Sequence, residues 1–261
     1  MKNGLYFSFR LKNALSLAVT FVLFISLAFM LEFSGVFSDS VSAEADKLPL
    51  IIIDPGHGGE DGGTQSSDGT LEKEINLEIS LKLNEVLNES GYETLMTRDG
   101  DYMIYDESSS TQREKKVSDI HNRMKAVEEN GDCILISVHQ NYFTESKYDG
   151  TQVFYSKNNP ASKLLADEIQ RSVVSSLQPD NTRQIKKSGT DIYLLYHSLV
   201  PSVMVECGFM SNEAEAARLK DEEYQNKMAQ AIADGLTNYM ESNPEGDKYN
   251  GSENKKYFRL Q

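Results

Sequence analysis

Short runs of apolar, β-branched residues alternate along this chain with segments of helical periodicity, and that alternation restricts the folds open to it. Five runs are typical of strands, the last being the weakest: residues 50–53, 93–97, 134–138, 203–205 and 152–155. Helical spacing marks residues 75–91, 113–129, 161–177 and 221–239. Strands that alternate with helices predict an α/β fold, a single domain with a mainly parallel sheet flanked by helices.

The first 43 residues differ from the rest of the chain. Basic residues precede an apolar run over residues 14–33, and Val41, Ser42 and Ala43 form a small-x-small sequence that a signal peptidase could cleave. About 20 apolar residues also suffice to span a bilayer. Residues 1–43 are therefore predicted to be a signal peptide or a membrane anchor, and in either case the protein is exported across the membrane.

The rest of the chain is predicted to form a folded domain over residues 44–240 and a mobile polar tail over residues 241–261. A net charge of −14 argues against nucleic acid, or an anionic membrane surface, as the main partner. Binding to phosphate groups requires clusters of Lys and Arg, which an acidic protein of this kind does not favour. Membrane contact is expected only through the N-terminal segment.

The two cysteines are not expected to form a disulfide, although the protein is predicted to be exported. Cys133 begins one strand run and Cys207 lies at the far end of another. If those strands are parallel, the two sulfurs are too far apart to join. We therefore expect two free, mostly buried thiols.

Polar side chains follow several of the predicted strands. His57 lies in a glycine-rich turn after the first strand, His139 ends the third, and Glu206 ends the fourth. Glu72 falls in the first turn of the helix after the glycine turn. Ligands collect at the carboxyl ends of parallel strands. Two imidazoles and a carboxylate suit Zn²⁺, with a further position left to water, so the sequence predicts a zinc site at this edge.

Only two other histidines occur in the chain, and both have a simpler explanation. His121 falls in a polar helical segment. His197 follows the apolar sequence IYLLY and is kept as a reserve ligand.

Five motifs, taken in order, resemble the zinc-dependent N-acetylmuramoyl-L-alanine amidases of the Amidase_3 family. They are IIIDPGHGGEDGG, EKEINL, the Thr97–Arg98 pair, SVHQN and VECGFMSN, and they cover about residues 48–240. The resemblance implies a six-stranded sheet, peptidoglycan as the substrate and Zn²⁺ as the cofactor. It also implies that His57, Glu72 and His139 are the metal ligands and that Glu206 is the catalytic carboxylate, which transfers the proton.

Within that family the chain is most similar to the germination-specific, spore-cortex amidases. This implies removal of stem peptides from cortex, as the first step to muramic-δ-lactam, in the spore intermembrane space or cortex. Tyr142 and Cys207 depart from the usual pattern. No insertion between His139 and Glu206 is long enough to suggest a blocking helix. Because no wall-binding module is expected, recruitment by an accessory protein is a further hypothesis.

Other interpretations remain open from the residues alone. A general amidase of vegetative cell wall would carry the same motifs. A zinc carboxypeptidase-like wall peptidase is the second alternative, since His57 and Glu60 match its H-x-x-E spacing, and an inactive wall-binding module is the third. Asp54 and Asn141 are candidates for orienting the histidines, whereas Arg98 is expected to hold loops together by ion pairing, without a catalytic part.

Overall fold

The structure is a computed structural model that describes residue 16, residues 19–26 and residues 48–243. Residues 19–26 are helical. The described part of the chain contains no helix with both the length and the apolar character needed to cross a bilayer. The predicted signal peptide or anchor lies almost wholly outside the described residues, as does the predicted tail from residue 244 onward.

Six strands form one sheet, in the order β2-β1-β3-β6-β4-β5. The strands are β1 (Leu50–Pro55), β2 (Thr94–Met96), β3 (Cys133–Asn141), β4 (Gln152–Tyr155), β5 (Lys186–Lys187) and β6 (Ser202–Phe209). All neighbouring strands are parallel except β4 and β6, which are antiparallel. The α/β fold with a mainly parallel, six-stranded sheet is therefore confirmed.

Helices cover both faces of the sheet. They are α1 (Glu72–Glu89), α2 (Gln112–Asn130), α3 (Ala161–Ser176), α4 (Tyr193–His197), α5 (Glu213–Leu219) and α6 (Glu222–Ser242). Apolar residues of α1, α3 and α6 form the larger core with one face of the sheet. Met124 and Val127 of α2 and Leu194 of α4 form a smaller core on the other face.

The side chains of β3 show how one strand serves both cores. Ile134, Ile136 and Val138 belong to the larger core, whereas Cys133 and Leu135 belong to the smaller one. Successive side chains of a strand point to opposite faces, so a strand buried on both sides is apolar at almost every position. This explains why the central strands have continuous apolar sequences.

Several boundaries differ from those predicted. β3 and β6 continue to Asn141 and Phe209 because these two residues pair after a register shift that follows His139. His139 and Glu206 therefore lie within the last residues of their strands and do not end them. The short β5, helix α4 over the IYLLY sequence and helix α5 were not predicted, and α6 extends to Ser242.

Both cysteines are free and buried, as predicted. Burial raises the pKa of Cys133 to about 12 and that of Cys207 well above its ordinary value. Each thiol also lies near a backbone carbonyl, Cys133 Sγ at 3.7 Å from Val127 O and Cys207 Sγ at 3.6 Å from Val205 O. The two thiols are therefore uncharged members of the core.

A buried ionic cluster joins β1 to α2. Arg123 donates from Nη1 to Asp54 Oδ1 and from Nε to Asp119 Oδ2, each at 2.7 Å. Asp54 also accepts from the hydroxyls of Thr97 and Ser137, both at 2.7 Å. Burial acts to raise the pKa of Asp54, but the Arg123 charge and the hydrogen bonds lower it to about 2. The carboxylate is thus stabilised in its charged form.

Replacing Asp54 by Asn should leave the buried Arg123 guanidinium with one charged partner, Asp119, where it had two. Removing one member of a buried pair costs about 3–5 kcal/mol, so we expect urea denaturation to show a loss of about 3 kcal/mol in the free energy of unfolding. Glu223→Gln is the matched control, because its pair with Lys227 is exposed. It should change the free energy of unfolding little, and equal losses in the two variants would contradict the assignment.

The same variant also tests the pH dependence of stability. The pKa of Asp54 is lowered from 3.8 to about 2 on folding, so its stabilisation is fully present above about pH 4 and is lost as the pH falls towards about 2. The difference in unfolding free energy between the wild type and Asp54→Asn should shrink across that window. A difference that stayed constant between about pH 6 and pH 2 would count against this explanation.

Candidate active site

The turn that carries His57 is held by two buried arginines. His57 adopts a φ of 61°, a left-handed conformation that is uncommon for a residue other than glycine. Arg123 Nη2 donates to the His57 carbonyl at 2.7 Å. Arg98 donates from Nε to Pro55 O and from Nη2 to Gly56 O, each at 2.9 Å. These hydrogen bonds to carbonyls hold the turn in its strained shape, and Arg98 therefore does connect loops.

His57, Glu72 and His139 lie together at the edge of the sheet. One possible ligand atom from each lies within 4.8 Å of the other two. His139 Nδ1 is 2.9 Å from Glu72 Oε1, and His57 Nε2 is 3.3 Å from Glu72 Oε2. Two imidazole nitrogens and one carboxylate form a donor set that could hold a metal ion. The three predicted ligands are therefore brought together.

The Glu72 carboxylate is oriented by its surroundings. Its Oε1 atom accepts from the Gln140 amide at 3.1 Å and from Asn76 Nδ2 at 3.2 Å, and its Oε2 atom accepts from the Thr64 amide at 2.9 Å. Burial opposes the charged form, but hydrogen bonds and charge from His139 and His57 hold the Glu72 pKa well below its ordinary value. The group is therefore a carboxylate across the ordinary pH range.

A second carboxylate, Asp61, orients the imidazole of His57. Its Oδ2 atom is 2.9 Å from His57 Nδ1, on the opposite side of the ring from Glu72. Burial alone would lower the His57 pKa, but Asp61 and Glu72 raise it to about 9 in the protein without a metal. A carboxylate on the far nitrogen of a ligating histidine fixes the ring and its tautomer, so Asp61 is suited to that task.

Glu206 lies directly beside the cluster, since it pairs with His139 across β3 and β6. Its Oε2 atom is buried and has no hydrogen-bond partner among the described residues. Burial, together with the nearby charge of Glu72, raises the pKa of Glu206 to about 7, while His139 and His57 oppose the shift. A buried oxygen without a partner is costly, so its presence fits a site built for a further group.

Other predicted candidates lie elsewhere. Asp54 reaches His57 only through Arg123. His197 and His121 each pack against Tyr193, with ring centroids 4.2 and 5.1 Å away, and neither joins the cluster. Glu60 bonds to α2 through Lys115 and Gln112, both at 2.9 Å. The reserve ligand and the H-x-x-E alternative are therefore not supported by the geometry.

Neither Asn141 nor the segment between His139 and Glu206 alters this arrangement. Asn141 accepts a backbone hydrogen bond from Met210 at 2.8 Å. Helix α3 contributes Leu165 and Ile169 to the larger core. Four further residues that contact His57 or Glu72 were not predicted from the sequence: Asp61, Asn76, Gln140 and Thr64. The first two have a recognisable signal, since Asp61 follows His57 by four residues and Asn76 follows Glu72 by four on one helix face.

An α/β sheet that carries a His–Glu–His cluster and an unpartnered carboxylate at one edge is consistent with a metal-dependent hydrolase. The family model described as N-acetylmuramoyl-L-alanine amidase, Amidase_3, matches residues 51–238. The chain therefore belongs to this family. It is a peptidoglycan amidase, which hydrolyses the amide between N-acetylmuramic acid and L-alanine. The inactive module and the wall peptidase are not favoured.

Individual relatives support the family assignment. The germination-specific N-acetylmuramoyl-L-alanine amidase of Bacillus subtilis (strain 168) is 33% identical over 225 residues, which cover 83% of this chain and 91% of the relative. A similar solved structure is that of the CwlD amidase from Clostridioides difficile in complex with the GerS lipoprotein. The two amidase chains share 40% sequence identity and a TM-score of 0.73, and the match covers 75% of this chain and 100% of that chain. The amidase LytC of Bacillus subtilis (strain 168) is 35% identical over 191 residues, 72% of this chain and 35% of LytC.

Replacing Gly56 by Ala should disturb the metal cluster more than the fold. A Cβ atom at Gly56 would overlap the imidazole ring of His139. We expect metal affinity, measured by chelator competition, to fall about 10–100-fold, as is typical when the support of a metal ligand is lost. Gly131→Ala is the control. It has a φ of 52° and open space around it, so it should cost about 1 kcal/mol of stability without weakening metal binding.

Proposed function

We propose that this protein is a zinc amidase in which His57, Glu72 and His139 hold the ion and Glu206 transfers the proton. The observation that carries the proposal is the buried, unpartnered Oε2 atom of Glu206, placed beside His139. The donor set fits zinc because Zn²⁺ accepts both imidazole nitrogen and carboxylate oxygen and leaves a position open for chemistry.

The chemistry divides between the ion and the chain. A zinc ion supplies Lewis acidity, which polarises an amide carbonyl and acidifies water, and this is worth several kcal/mol. Glu206 accepts a proton from the attacking water while the oxygen adds to the lactyl carbonyl carbon. As the C–N bond breaks, the same carboxyl gives that proton to the nitrogen of the departing L-alanine, so the proton balance closes.

The residues around these groups keep them in place during the reaction. Asp61 holds the His57 ring from its Nδ1 side. Asn76 and the Gln140 amide hold the Glu72 carboxylate. Because these donors and acceptors are already positioned, little reorganisation is needed when charge develops in the transition state.

Variants at three of the four residues should separate the metal ligands from the catalytic residue. Glu206→Gln should keep zinc and fold but lower kcat by at least about 10²-fold, since it cannot accept the proton. His57→Ala and His139→Ala should lose zinc, measured by metal analysis of the purified proteins. Full zinc occupancy in either histidine variant would refute the ligand set. Glu206→Gln turning over at the wild-type rate would remove its catalytic role.

The biological substrate we propose is spore cortex. The relative from Bacillus subtilis supports this, because it is named as germination-specific and is similar over 83% of this chain. The alternative is action on vegetative wall, which is supported by the similarity to LytH of Staphylococcus epidermidis, a relative named as a probable cell wall amidase. In both cases the relatives named as cell-wall or germination amidases indicate action outside the cytoplasm.

Product analysis of cortex decides between these substrates. A strain that lacks this chain should form spores whose cortex has lost muramic-δ-lactam, because the stem peptide must leave muramic acid before the lactam ring can close. Complementation with Glu206→Gln should not restore the lactam, whereas the wild type should. Unchanged lactam in the deletion strain would direct the assignment to vegetative wall.

We also propose that an accessory protein assists this enzyme. The Clostridioides difficile amidase was solved in complex with the GerS lipoprotein, which supports the idea. The measurement is turnover of cortex fragments by the purified chain alone and after addition of spore extract. Full activity of the chain alone, with no stimulation by the extract, would count against a partner.

A further inference from the structure

Arg183, which has no acidic partner among the described residues, lies beside Phe209 at the end of β6. Arg183 Nε donates to the Asp149 carbonyl at 2.6 Å. Its guanidinium carbon is 4.4 Å from the ring centroid of Phe209 and 5.7 Å from that of Tyr148. No carboxylate of the described residues forms an ion pair with Arg183, although the chain carries a net charge of −14. The guanidinium is positioned by a carbonyl and two rings.

Two contacts connect Arg183 to the strand that carries Glu206. Phe209 follows Glu206 by three residues on β6. Gln152 pairs with Glu206 across β4 and β6, and its Nε2 atom donates to the carbonyl of Gln184 at 2.9 Å. Paired residues of antiparallel strands lie about 4.5–5.5 Å apart at Cα. Gln184, which follows Arg183 in sequence, is thus hydrogen-bonded to Gln152. Gln152 in turn lies opposite Glu206, the proposed catalytic carboxylate.

The rings beside Arg183 continue along the same edge. Tyr148 packs against Phe209 and Phe143, with centroid distances of 6.4 and 5.1 Å. Phe143 is 47% exposed and lies four residues after His139. Phe143, Tyr148, Phe209 and Arg183 form a rim cluster, which runs from the end of β3 past the end of β6. This rim cluster therefore borders the ends of the two strands that carry His139 and Glu206.

We propose that Arg183 binds the carboxylate of the second residue of the stem peptide, on the leaving-group side of the scissile amide. This rests on the proposed function. A stem peptide begins with L-alanine, and its second residue carries either a free α-carboxylate or a carboxamide. Two residues of extended chain span at most about 7 Å, so the proposal requires the rim to lie within about that distance of the leaving nitrogen. The two Nη groups of Arg183 suit a carboxylate because guanidinium binds it in a bidentate manner.

The net negative charge of the protein affects which form of the substrate is favoured. An acidic protein repels an anionic substrate and by itself favours the carboxamide form. A preference for the free carboxylate therefore requires a local cation with no acidic partner of its own. Arg171 provides a matched contrast, since it lines the same open surface cavity as Arg183 but pairs with Asp167 and Glu168 at 2.9 and 2.6 Å.

The test compares two soluble muropeptides, N-acetylmuramoyl-L-alanyl-D-isoglutamate and its isoglutamine counterpart, which differ only in the carboxylate. The zinc-loaded wild type should favour the carboxylate form in kcat/KM by about 10–100-fold, the range of a hydrogen-bonded charge pair. Arg183→Gln should lose that preference through slower cleavage of the carboxylate form alone. Arg183→Lys should keep part of it, and Arg171→Gln should keep all of it.

The outcomes separate this inference from the proposed function. If the wild type cleaves neither muropeptide, the proposed function fails. If it cleaves both and Arg183→Gln slows both by the same factor, with zinc content and Tm unchanged, the carboxylate role of Arg183 is overturned. A loss of preference in Arg171→Gln equal to that in Arg183→Gln would also overturn it, because the effect would then come from the overall charge.

Discussion

The rest of the site depends on the hydrogen bonds that the buried guanidinium of Arg123 donates. It joins α2 to the end of β1 through Asp54 and the Pro55 carbonyl, and it reaches the His57 carbonyl with its remaining nitrogen. A buried cation is tolerated only when its donors are satisfied. One set of contacts therefore satisfies the donors of Arg123 and holds the strained backbone of His57. The stability of the fold and the geometry of the site both depend on these contacts.

Strand register brings the remaining groups together. Parallel pairing of β3 with β6 sets His139 opposite Glu206, while Glu72 enters from the first residue of α1. The amino terminus of a helix stabilises a negative charge, which adds to the hydrogen bonds that keep Glu72 ionised. Glu72 is thus held as an anion, as its proposed role as a metal ligand requires, and the neighbouring Glu206 has an oxygen without a hydrogen-bond partner among the described residues, as its proposed role in proton transfer requires. One sheet edge supports both roles because their surroundings differ.

Much of this was predictable from local sequence, and the remainder depends on tertiary contacts. The central strands and the positions of His57, His139 and Glu206 follow from apolar runs and their polar ends, and the position of Glu72 follows from the start of the helix after the glycine turn. The strand β5 was missed because Lys186 and Lys187 carry no apolar pattern, and its pairing with β4 alone defines it. The apolar sequence IYLLY is compatible with either a strand or a helix. It forms a helix in the structure, where it packs against α2.

The residues that hold Glu72 and the His57 turn in place could not be predicted from the sequence for a related reason. Nothing in the sequence links Gln140 to Glu72, because the contact joins a strand to a helix 68 residues away. Arg98 was expected to form ion pairs, yet it donates to the carbonyls of Pro55, Gly56, Lys73 and Gly100. A sequence pattern identifies charged residues, but only the folded backbone determines whether a carbonyl or a carboxylate accepts from them.

The two buried cysteines have a consequence for where such a protein can work. Cys133 begins β3 and Cys207 lies near the end of the adjacent parallel β6. At about 3.3 Å per residue, the sulfurs are separated by roughly the length of seven residues, about 23 Å. Their raised pKa values leave almost no thiolate to react with oxidants. These two cysteines therefore give the domain no disulfide to form or to lose, and they have the same covalent state in a reducing and in an oxidising compartment.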